Sequence, residues 1–71
     1  MHIYLLERIQ GADYDEYESM VIIADSPTRA RKIANQNSGD EGYIWTDTSQ
    51  VSCTLIDIKN EGVVLTSFRG A

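Results

Sequence analysis

Four carboxylates and two tyrosines stand within six consecutive residues, Asp13-Tyr-Asp-Glu-Tyr-Glu18. Carboxylates at this density can hold a cation, move a proton or face a basic partner, and spacing separates these uses. A calcium loop needs oxygen ligands at alternate positions, glycine at the sixth and glutamate at the twelfth. Counted from Asp13, the fifth position is Tyr17, the sixth Glu18 and the twelfth Ala24, so the pattern fails and no metal site is expected. A catalytic carboxylate pair needs a pocket that drives two pKa values apart, and nothing in the run marks one. Two readings stay open. In the first, the run is an acidic binding patch. Along an extended segment Asp13, Asp15 and Tyr17 share one side at ~6.7 Å intervals, while Glu16 and Glu18 share the other. Such rows imitate phosphates, and Tyr14 and Tyr17 add rigid amphipathic contact area. In the second, the run is a solvated loop kept polar for solubility.

A second acidic group, Asp40, Glu41 and Asp47, brackets Tyr43 and Trp45. A small chain needs the buried area of its one tryptophan, so Trp45 is expected in the core or as a lid over it. Exposed, it would anchor a partner.

Other chemistry is thinly represented. Cys53 is the single cysteine and His2 the single histidine. An intrachain disulfide is therefore ruled out, and so is a zinc site built from clustered Cys and His. Cys53 lies in an apolar run and reads as a small buried hydrophobe, which suits a reducing compartment. Phosphate-binding glycine loops and hydrolase or zinc-protease signatures are missing, and the two acids between Gly39 and Gly42 would repel phosphate. The expectation is a protein that is not an enzyme and carries no cofactor.

The chain has 71 residues, 11 acids against 6 bases, and a formal net charge of −5. Such a length fits a single domain spanning residues 1–71 with a thin core, and leaves stabilisation by homodimer formation open. The negative balance disfavours direct nucleic-acid binding and favours a basic partner. Arg29, Arg31 and Lys32 are too few to reverse it. No run is apolar over the ~20 residues needed to cross a bilayer, and no secretory signal pattern opens the chain. The expectations are no membrane association and a cytoplasmic location.

These residues need a scaffold. Ile3–Ile9 and Glu18–Ala24 read as two strands joined by the acidic loop. Ser26 then caps a helix with Pro27 in its first turn, and Ala30, Ile33 and Ala34 form a narrow apolar face turned away from Arg29, Arg31 and Lys32. The helix stops in Asn35–Gly39. A short strand is predicted around Tyr43–Trp45, a longer one over Val51–Ile58, and a last one over Val63–Phe68 pairing back on its predecessor. The fold class is α+β: a mainly antiparallel twisted sheet of four to five strands, in ββαββ order, with one helix packed on one face.

Several segments together resemble small proteins encoded by bacteriophages and prophages: Ile3-Tyr-Leu-Leu6, Tyr14-Asp-Glu-Tyr-Glu-Ser19, Ala24-Asp-Ser26, Ala30-Arg31, Trp45 and Gly62-Val-Val-Leu-Thr-Ser-Phe68. The pattern departs at Asn35–Gly39, where a His-Pro turn is usual, and at Arg69. The strand–helix segment Ile22–Ala34 is also similar to one in small anti-CRISPR proteins, which inhibit by binding a defence complex. The resemblance implies a phage-type interaction protein in the bacterial host cytoplasm. Its partner would be a host complex with a basic nucleic-acid-binding surface. The contacts would come from Asp13, Tyr14, Asp15, Glu16, Tyr17, Glu18, Asp40, Glu41 and Asp47. The alternative is an assembly protein that acts by homodimerisation or edge-strand pairing.

Overall fold

The first strand is apolar on consecutive residues because it becomes the middle of the sheet. In the computed structural model, which describes residues 1–65, strand β1 runs over His2–Arg8 and strand β2 over Ser19–Ala24. They pair antiparallel from His2↔Ala24 to Glu7↔Ser19. Strand β3, Val51–Leu55, pairs antiparallel with the other edge of β1, from Tyr4↔Leu55 to Arg8↔Val51. The strand order is β2-β1-β3. β2 and β3 therefore run in the same direction on either side of β1. Helix α1, Pro27–Gln36, lies on the connection between them, a split β-α-β arrangement.

Local chemistry starts and stops α1 as expected. The Ser26 hydroxyl accepts a hydrogen bond from the Arg29 N–H at 3.1 Å, and Pro27 occupies the first turn. At the other end the Asn37 N–H donates to the Ala34 carbonyl at 3.0 Å, and its side-chain amide donates to the Ile33 carbonyl at 2.7 Å. Ala30 and Ala34 are fully buried, and their small side chains let the helix sit close on Tyr4, Leu6 and Ala24. Arg31 departs from the expectation that all three helix cations face solvent. Its guanidinium is drawn to the sheet and donates to the Val51 carbonyl at 2.7 Å, tying α1 to β3.

Two predicted strands differ in the structure. Residues 44–46 form a turn of 3₁₀ helix instead of a strand at Tyr43–Trp45. The Thr46 and Asp47 N–H groups donate to the Tyr43 and Ile44 carbonyls at 3.1 and 3.0 Å. The reason lies in facing: residues i and i+2 of a strand share a side, whereas Tyr43 is exposed and Trp45 is fully buried in the core. The helical turn separates them. In the last predicted strand, Val63–Leu65 lie outside any strand, and residues 66–68 lie outside the described residues. Among the described residues the sheet thus has three strands, and the helix covers one of its faces. None of the described helices is long and apolar enough to cross a membrane.

Candidate functional site: an acidic pole built on a buried ion pair

The β1–β2 connection forms a closed turn, not the extended row that the alternation of acids suggested. The Asp13 N–H donates to the Glu16 carboxylate at 2.9 Å, and the Glu16 N–H donates back to the Asp13 carbonyl at 3.2 Å. Asp15 sits between them at φ 65°, a left-handed conformation that aspartate tolerates better than most side chains. The turn pushes Tyr14 out until it is 93% exposed, with Tyr17 half-exposed behind it.

Arg8 holds this turn from below. Its side chain is only 7% exposed. Its Nε donates to the Tyr17 carbonyl at 2.7 Å, its Nη1 stands 3.7 Å from the Glu16 carboxylate, and its Nη2 donates to Glu41. The guanidinium also lies over the Trp45 ring, 5.7 Å from its centre, a cation–π contact shielded from water. The Glu41 side chain is 6% exposed. It accepts from Arg8, from the Trp45 indole N–H at 3.2 Å and from the Tyr17 N–H at 3.3 Å. Burial pushes the Glu41 carboxyl up, yet these bonds and the Arg8 charge together outweigh it and hold the group below its ordinary value.

One buried pair therefore fastens the two acidic segments together. The loop bearing Tyr14 and Tyr17 is joined through Glu41 to the loop bearing Asp40 and Tyr43, and Tyr43 is 81% exposed. The two joined segments carry exposed Asp13, Asp15, Glu18 and Asp40 and exposed Tyr14, Tyr17 and Tyr43. The Asp13, Asp15 and Glu18 carboxylates accept no hydrogen bond from another described residue.

Three acids of the expected contact set have other work. Glu41 is turned inward and its carboxylate is taken up by Arg8, Tyr17 and Trp45. Glu16 closes the turn and leans on Arg8. Asp47 organises the entry to β3. Its carboxylate accepts from the Ser49 N–H at 2.9 Å, the Ser49 hydroxyl at 2.7 Å and the Gln50 amide at 3.0 Å. Those bonds hold its pKa below the ordinary value. Arg8 was absent from the expected set because its role depends on where Glu41 and Trp45 arrive, 33 and 37 residues later in the chain. The one available signal was a lone arginine at the end of an apolar strand.

Cys53 faces the helix side of the sheet beside Leu6, and burial pushes its thiol up, away from the reactive thiolate form. No protein family, curated protein or solved structure matches this chain.

Proposed function

We propose that this protein is a binding module, not an enzyme, whose acidic pole docks on a basic nucleic-acid-binding surface of a host macromolecular complex. A bacterial defence complex is the target to which the phage-type resemblance points, and the host cytoplasm is where the two would meet. The observation that carries the reading is the Arg8–Glu41 pair. It fixes two loops so that exposed carboxylates surround Tyr14, Tyr17 and Tyr43 on a preformed surface. Preorganisation lowers the entropy lost on docking, and tyrosines give contact area with few rotors. Carboxylates in that setting steer association with a cationic groove and compete with phosphate for its arginines and lysines. The proposed contact residues are Asp13, Tyr14, Asp15, Tyr17, Glu18 and Asp40, with Tyr43 added and Glu16 supporting the turn.

The test compares the wild-type chain with the triple variant D13N/D15N/E18Q as bait for bacterial nucleic-acid-binding complexes, at about 0.05 M and about 0.5 M salt. The expected result is a partner held by the wild type at low salt, released by duplex DNA, weakened at high salt and lost with the variant. Equal retention by the variant, or indifference to added DNA, would refute the acidic pole as the docking surface.

A further inference from the structure

The helix covers one face of the sheet, and the opposite face is apolar as well. In an antiparallel sheet with one face in water, strands alternate apolar and polar residues. β2 does not: Met20, Ile22 and Ala24 face the core, while Val21 and Ile23 on the other side are 59% and 63% exposed. The register sets Val21 beside Leu5 and Ile23 beside Ile3. Leu5 is itself buried at 5% exposure, so on β1 the apolar surface continues at the partly exposed Ile3. From there it runs into the chain that follows β3. Leu5, Val63 and Val64 share a cleft of about 330 Å³, and Ile3 and Ile58 share a second of about 550 Å³. Ile58, Val63 and Val64 are themselves exposed.

We propose that this face, made by the outward side of β2 together with the segment after β3, is the interface of a two-fold homodimer, with Val21 and Ile23 near its centre. Area supports an interface. From their exposures these side chains present roughly 600 Å² of apolar surface, at the top of what a monomer leaves bare and near the ~800 Å² that each partner contributes to a standard interface. Charge selects a second copy as the occupant. In a two-fold contact a surface meets itself, so any acid near the axis meets its own copy. A chain with net charge −5 self-associates with least repulsion through a face without charges at its centre. Ile3, Val21 and Ile23 carry none, and the neighbouring Ser19, Ser52 and Thr54 offer only hydroxyls. Glu7 stands at one end of the face, and Asp57, Lys59 and Glu61 belong to the segment bordering it. The β2 edge adds to the case: six residues, Ser19–Ala24, without a charge or proline to discourage association. This inference stands apart from the acidic pole.

Sedimentation equilibrium of the full chain decides it. The wild type is expected to sediment as a dimer, and to remain one at about 0.5 M salt, where a charge-driven contact would weaken. Ile23→Lys and Val21→Lys each place two like charges at the axis. They should give a monomer with an unaltered far-ultraviolet circular dichroism spectrum. Should a lysine variant fail to fold, Ile23→Thr keeps the β-branch and is expected to raise the dimer dissociation constant at least about tenfold. The D13N/D15N/E18Q variant should remain dimeric, which separates this surface from the pole. A wild-type monomer at every concentration, or a folded Ile23→Lys chain that still dimerises, would overturn the proposal.

Discussion

The two acidic segments look alike in sequence and do opposite work in the fold. Residues 13–18 put three of their four acids into water without partners among the described residues. Residues 40–47 place one acid, Glu41, in the interior and use a second, Asp47, to shape backbone. The difference follows from what each segment meets. The first is a hairpin connection with solvent on most sides. The second packs beside α1 and β3, where the buried Arg8 guanidinium and the Trp45 indole N–H both need an acceptor. A buried donor without an acceptor costs more than a hydrogen bond returns, so the chain supplies Glu41. Counting acids therefore overstates the surface available to a partner, and position in the fold decides which carboxylates remain free.

The sharpest way to break this comparison is Glu41→Gln. It leaves the buried Arg8 with only the more distant Glu16 carboxylate, 3.7 Å away, as counter-charge, and should destabilise the protein by about 2 kcal/mol, a large part of the stability of a chain this size. Urea unfolding measures it, and a change below ~0.5 kcal/mol would mean that the pair does not fasten the two loops. The same variant bears on acid sensitivity. Glu41 is held below its ordinary value of 4.5 in the fold, so as pH falls the unfolded chain takes up the proton first. The pair's contribution is whole above that value and drains away as pH drops through the lower folded one. Glu41→Gln should flatten the acid limb of the stability curve, and an unchanged limb would assign acid unfolding to other carboxylates.

Asp47→Ala should have a smaller effect. It removes a partly exposed cap of the turn into β3, so a modest fall in Tm is expected by circular dichroism, with the fold and the pole intact. A loss as large as that of Glu41→Gln would show that β3 depends on this turn more than its exposure suggests. The smallest stability effect belongs to D13N/D15N/E18Q. These carboxylates bond to nothing among the described residues, and their neutralisation should leave Tm within the spread of ordinary surface changes while abolishing partner capture. A clear drop in Tm would move residues 13–18 from the contact surface to the scaffold.

Much of the scaffold was legible because its signals are local. The Ser26–Pro27 start of α1, its Ala30–Ala34 face and the first two strands depend on neighbours within a turn or two. The 3₁₀ turn at Trp45 was misread because Tyr43-Ile-Trp45 has the composition of a strand. Only the opposite fates of Tyr43 and Trp45 reveal the turn, and those fates are set by the core. Arg31 was placed in solvent by helix periodicity and drawn inward by the Val51 carbonyl. At the pole, the exposed tyrosines and acids of residues 13–18 were visible as a cluster, whereas the joining of that cluster to Asp40 and Tyr43 was not.

By itself the sequence determined the charge balance, the helix and its caps, the two apolar strands of the hairpin and the acidic connection between them. Tertiary structure alone decided that β1 is the central strand, that β3 pairs with it, that Glu41 is interior while Asp13, Asp15 and Glu18 are not, and that Val21 and Ile23 face outward on the side away from α1. The physical reason is range. Caps, turns and periodicity are set by interactions across a few residues, whereas burial and ion pairing depend on which distant segments share the small volume beneath α1.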